Sequence, residues 1–205
     1  MIEPHFTMFW SGDIPRTAQV DTAGRKTEVA VIAGRLQTAS AAAPLAPPPN
    51  PWAAQADADV AIWTISMEPG ASWELAAATS EGTRRHLYFF KGKSVTVGGD
   101  RIEGPAAIEL RTRDAVELQN GDEGVSEFLL LQGKPIGEPV VQYGPFVMNT
   151  QAEIMQAMQD YRRTQFGGWP WPVGAPVHGR DPAQFARHPD GREEKPSDDE
   201  VGGPN

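Results

Sequence analysis

The chain has 205 residues, enough for one well-cored domain, and its 40% hydrophobic and 22% charged residues are the balance of a folded globular protein. A net charge of −9 and a pI near 4.9 argue against nonspecific binding to nucleic acid or to an anionic membrane surface. The chain has no cysteine, which excludes disulfides, thiolate metal sites and cysteine nucleophiles. No run of about 18 apolar residues is present to form a membrane-spanning helix. The opening MIEPHFTMFW lacks a basic segment followed by an apolar core, so it does not read as a signal peptide, and the expected location is cytoplasmic.

Residues 1–26 read as a connecting segment leading into a barrel. TEVAVIAG, residues 27–34, is β-branched and closes on glycine, which predicts a strand. Residues 35–59 are rich in Ala and Pro and have no periodicity. Pro47, Pro48 and Pro49 preclude a helix there, so the stretch reads as a long surface loop within one domain. Strands then come densely. DVAIWTISMEPG ends at a Pro69-Gly70 turn, HLYFFKGKSVTVGG holds two strands about a turn at Lys91–Lys93, and AAIELRT is a short strand. AVELQNGDEGVSEFLLLQG reads as two strands about Asn120-Gly121, a favoured hairpin turn because both residues tolerate positive φ. Short strands with turns at this frequency predict a mostly β fold, an antiparallel jelly-roll-like sandwich or barrel. One helix is expected near residues 150–165. Thr150 caps it, Glu153 completes a capping box, and Ile154, Ala157, Met158 and Tyr161 form an apolar stripe that packs onto the sheet. Gly167 and Gly168 end it, and Pro170 prevents resumption. The barrel is thus placed at 27–185, and 186–205, charged and rich in Gly and Pro, reads as a disordered acidic tail.

The search for chemistry is mostly negative. The histidines are His5, His86, His178 and His188, and no two are spaced as His-x-His or four apart on a helix. An iron or zinc site needs three or four ligands converging on one point. His86, at the start of the aromatic strand, is the one weak metal-ligand candidate; its other reading is a half-buried strand histidine with a hydrogen-bond partner. No phosphate-binding glycine loop, dinucleotide fingerprint or nucleophile elbow is present. The carboxylates are scattered, so no glycosidase pair can be picked. Arg84 and Arg85, in GTRRH, read as solvated loop arginines, with anion binding as the alternative.

LLLQGKPIGEPVVQYGPFVMNTQAEIMQAMQDY followed by RTQFGGWPW resembles the signature of the pirin family, within the cupin superfamily. SGDIPR, TEVAVIAG, ADVAIWTISMEPGASWEL and HLYFFKG resemble pirin segments in the same order, so the resemblance runs from about Phe9 to Pro189. Pirins are two cupin barrels in tandem. In the family the metal, Fe(II), sits in the first barrel, held by three histidines and a glutamate. This chain resembles the second barrel and its C-terminal extension, so the metal-bearing first barrel is expected to be absent and no ligand position is carried over. Counted against the general cupin pattern, Ala76 and Ala78 stand where His-x-His would lie, and Val116 stands four before Asn120 in place of the second motif's histidine. No catalytic, cofactor-binding or metal residue is therefore assigned, and no cofactor is expected on this chain.

Two functions follow from the resemblance. One is a metal-free, non-catalytic cupin module acting in protein–protein interaction or regulation. The other is an iron-dependent dioxygenase of the quercetin 2,3-dioxygenase type, open only if an upstream or partner chain supplies a metal-bearing cupin. A second barrel without its mate is expected to expose an apolar face and to bind a protein partner or itself, with no direct nucleic-acid or membrane contact. Trp169-Pro170-Trp171 either contributes to that interface or packs over the barrel mouth.

Overall fold

Strand periodicity sets the architecture, because every second side chain of a strand turns to the same face. The computed structural model describes residues 7–38, 41, 43–48, 51–121, 123–169, 171–174, 184–188 and 190–196. The chain divides into two compact units, Met1–Ile136 and Gly137–Asn205.

The strands of the first unit are β1 (Arg16–Val20), β2 (Lys26–Ala33), β3 (Ala61–Met67), β4 (Ser72–Leu75), β5 (Arg84–Lys91), β6 (Ser94–Val97), β7 (Asp100–Glu103), β8 (Ala106–Glu109), β9 (Val116–Asn120) and β10 (Ser126–Gly133). They build a six-stranded sheet in the order β1-β2-β3-β10-β5-β8 and a four-stranded sheet in the order β4-β9-β6-β7. All neighbours run antiparallel. In β3 the alternation is complete: Ala61, Trp63, Ile65 and Met67 are buried, and the residues between them are not. Val29, Ile65, Leu87, Phe89, Phe128 and Leu130 of the larger sheet join Trp73, Leu75, Val95, Val97 and Leu118 of the smaller one in a single core. Each large side chain buried there contributes about 1.5–3 kcal/mol relative to exposure. Phe89 and Phe128 stack at 5.1 Å between ring centroids. The indole N–H groups stay satisfied at the core's edge: Trp63 donates to the Ala33 carbonyl at 3.1 Å and Trp73 to Gln19 Oε1 at 3.0 Å.

The chain is mostly β, as its sequence predicts, but three details differ from that reading. Arg16–Val20, inside the segment read as a connection, pairs with β2 as the sheet's edge strand. The Ala/Pro-rich stretch is not only surface: Leu36 enters the core, and 3-10 turns form at Trp52–Ala54 and Ala56–Ala58. Asn120-Gly121 is not a tight hairpin turn. Asn120 ends β9 with negative φ, and the left-handed residue of the β9–β10 loop is Gly124, at φ 130. Gly121 is required for closeness rather than for φ, because a Cβ there would lie 2.5 Å from Ser94 Oγ. The physical reason lies in the Asn120 side chain, which is buried and donates to the Met67, Glu68 and Gly124 carbonyls while accepting from Ser126 Oγ at 2.5 Å.

The second unit holds a hairpin, β11 (Val141–Tyr143) and β12 (Phe146–Met148), followed by helix α1 (Gln151–Thr164). The capping box forms as predicted: Glu153 N–H donates to Thr150 Oγ1, and the Glu153 carboxylate accepts from Thr150 N at 2.8 Å. The stripe packs on the β11–β12 hairpin, burying Ile154 and Ala157 and leaving Tyr161 44% exposed. Phe146, Tyr161 and Phe166 contact one another edge to face. The helix stops before the expected glycines, at Gln165, which is left-handed at φ 53, followed by Phe166 at φ 50. Trp169 meets Trp171 at 4.6 Å and donates to the Val173 carbonyl, while Pro170 lies outside the described residues. Part of the stretch read as a tail is ordered: Ala186–Arg187 (β13) pairs with Glu193–Glu194 (β14), and residues 197–205 lie outside the described residues. Among the described residues no helix is long and apolar enough to cross a membrane.

Candidate functional site

The one buried charged side chain of the barrel among the described residues lies at the end where β5 begins. The strand's alternation turns Arg85, Leu87 and Phe89 inward and Arg84, His86 and Tyr88 outward. Arg85 is therefore not a solvated loop residue. It is 2% exposed, with Nε donating to Gln132 Oε1 and Nη1 to the Ala76 carbonyl, each at 2.6 Å. Gln132 in turn donates to the Asp59 carbonyl at 3.0 Å. Burial pushes the Arg85 guanidinium below its usual pKa, and the Asp59 carboxylate opposes that shift.

Asp59 organises the loop beside Arg85. It adopts a left-handed conformation, which an Asp tolerates at modest cost. Its carboxylate accepts from Thr79 N and Oγ1, from Ser80 N, and from Thr83 Oγ1. Burial raises its pKa, and these hydrogen bonds together outweigh burial, so the group sits below the usual carboxylate range. The result is a fixed anion held beside a fixed cation.

His86, the sequence's candidate ligand, lies on the opposite face. It is half-buried, sits across from Leu131 and Glu109 in the ladder, and stacks near Tyr88 at 6.4 Å. The positions where the cupin pattern would place ligands carry no donor side chain. Ala76 is exposed, Ala78 is half-buried, and Val116 packs against the core. His5 and His178 lie outside the described residues. His188 belongs to the β13–β14 hairpin, with Nε2 3.0 Å from Glu194 Oε1. Among the described residues no three His, Cys, Asp or Glu side chains converge as a metal would require. Arg85 offers no lone pair to a metal, and the Asp59 carboxylate beside it is already taken up by Thr79, Ser80 and Thr83. These residues do not fit a resident iron. Arg85 is thus buried where its sequence context reads as a solvated loop; Leu87 and Phe89 share its face, but Tyr88 and Phe90 offer an equally apolar one on the other side.

Two antiparallel sheets around one apolar core define a cupin-type barrel, and the order and content of its segments narrow the class further. The chain belongs to the pirin family: residues 62–167 match the pirin C-terminal cupin domain. It is 37% identical over 73% of its length to a putative quercetin 2,3-dioxygenase of Pseudomonas aeruginosa, covering 48% of that protein. It is 43% identical over 42% of its length to pirin from Mus musculus, covering 31% of that protein. A crystal structure of quercetin 2,3-dioxygenase from Acinetobacter baumannii superposes with a TM-score of 0.55 at 32% identity, over 77% of this chain and 49% of that one. The chain thus spans about half the length, or less, of the relatives it matches.

Proposed function

We propose that this chain acts as a metal-free, non-catalytic cupin module in protein–protein interaction or regulation. The observation that carries this reading is the absence of donor side chains at the positions of the cupin pattern, Ala76, Ala78 and Val116, with the buried cation Arg85 donating to the Ala76 carbonyl. Dioxygenation of a flavonol needs a metal to bind and activate its reactants, and side chains cannot replace that centre. The outward face of the larger sheet supports a protein partner: Tyr88, Phe90 and Leu131 are exposed there on the adjacent strands β5 and β10.

The second reading is an iron-dependent dioxygenase of the quercetin 2,3-dioxygenase type, with Fe(II) held by a metal-bearing cupin on another segment or a partner chain. The relatives named for that activity favour it. Anaerobic reconstitution of the purified chain with Fe(II), followed by desalting, metal analysis and a quercetin oxidation assay, tests the module reading, and the same assay on the chain co-purified with its cellular partners tests the dioxygenase reading. The module reading expects no retained iron and no turnover. Retention of about one iron per chain, with quercetin consumption, overturns it.

A further inference from the structure

We propose that the cleft where β5 begins and β8 ends binds a small oxyanion, a carboxylate or phosphate group gripped by Arg85 together with Arg84 and Arg111. The cleft has a volume of about 380 Å³ and is lined by these arginines with Glu109, Leu110 and Thr112 among its other walls. Its construction is local. Leu110 N donates to the Arg85 carbonyl and Ala78 N to the Thr112 carbonyl, so the segment after β8 is pinned alongside the start of β5.

Arg85 carries the inference. Two of its nitrogens are committed to protein acceptors, and Nη2 has no hydrogen-bond partner among the described residues, although the residue is 2% exposed and lines the cleft. A guanidinium edge that opens onto a cleft with no protein acceptor is free to donate to a ligand there. Its fork geometry matches carboxylate and phosphate oxygens. The nearby Asp59 carboxylate is already taken up by Thr79, Ser80 and Thr83.

The rim agrees. Elsewhere in this unit Arg16, Arg25, Arg101 and Arg113 each sit against a carboxylate. Arg84 and Arg111 have no ion pair or side-chain hydrogen bond among the described residues, and both line the same cleft, Arg84 from the outward side of the first residue of β5. Glu109 is the lone carboxylate of the lining, and the three guanidinium groups outnumber it. A cationic cleft in a chain of net charge −9 is a local feature rather than a reflection of composition.

The site is independent of the metal question, because its test uses protein stripped of metal. The full chain, passed over chelating resin, is titrated calorimetrically in chloride buffer at neutral pH with inorganic phosphate and, separately, with succinate. Saturable binding is expected, and the tighter probe tells whether phosphate or carboxylate is the preferred group. Arg84→Ala and Arg111→Ala, both at exposed positions that leave the core intact, are each expected to weaken binding about tenfold, the loss of one charge-assisted contact. Arg162→Ala, on the exposed face of α1, is expected to leave it unchanged. Absence of saturable binding with both probes, or equal weakening by Arg162→Ala, overturns the proposal.

Discussion

At the residue scale, two polar side chains and one glycine show how a single residue can fix a local fold. Asn120 holds the β9–β10 loop by satisfying three carbonyls and the Ser126 hydroxyl. Asn120→Ala leaves those buried acceptors unpaired and is expected to cost about 2–3 kcal/mol, read as a fall in the urea midpoint at constant slope. Gly34 is left-handed at φ 80, and a Cβ there would sit 2.1 Å from the Val60 carbonyl oxygen. Gly34→Ala is therefore expected to lose more than about 2 kcal/mol, because neither the backbone nor that carbonyl can yield cheaply. Asp21 accepts from Arg25 N and Nε, Ser72 N and Ala23 N. The Arg25 backbone N–H leads in pulling its pKa from 3.8 to about 2, with burial opposing and the Ser72 N–H, the Arg25 side chain and the Ala23 N–H adding to the fall. A lowered carboxylate pKa stabilises fully above the unfolded value and stops doing so as pH drops through the folded one. Asp21→Asn should thus be less stable than the parent at neutral pH, with the gap in urea midpoint closing as pH falls from about 3.8 to 2. A constant gap across that window would refute the assignment.

At the element scale, helix α1 is the clearest case of local determination. Thr150 and Glu153 close the capping box seen in the sequence, and Ile154 and Ala157 form the buried stripe. Thr150→Ala is expected to destabilise the helix by about 1 kcal/mol, with faster hydrogen exchange at its first-turn amides, while Thr150→Ser preserves both. The helix C-terminus was less legible. Gly167 and Gly168 look like the stop, yet Gln165 and Phe166 already turn left-handed. Phe166 reaches Phe146 and Tyr161 in that conformation, and those ring contacts offset a strain of about 1–2 kcal/mol per residue. Strand β7 carries a single apolar residue, Ile102, and so has no alternation to read.

At the scale of the whole molecule, the outward face of the larger sheet is the surface proposed for association. Tyr88, Phe90 and Leu131 are exposed there, Phe90 by 50%. The purified chain is expected to self-associate with rising concentration in sedimentation velocity, and Tyr88→Ser with Phe90→Ser to return it to monomer. A parent chain that stays monomeric at high concentration removes this face as a self-association surface.

The sequence alone determined the class of fold, because inward and outward residues alternate along β2, β3, β5 and β10 and turns punctuate them. It also determined the family, through the long block from Leu129 to Trp171. Tertiary structure decided which side of β5 faces the core. Arg85 and His86 are neighbours in sequence, and a shift of one residue exchanges their faces. Only the pairing of β5 with β10 and β8 sends the cation inward and the histidine out. The cleft likewise depends on the segment after β8 lying against the start of β5, a contact between residues more than twenty positions apart. No local pattern encodes that contact, because it exists only once β8 has paired with β5.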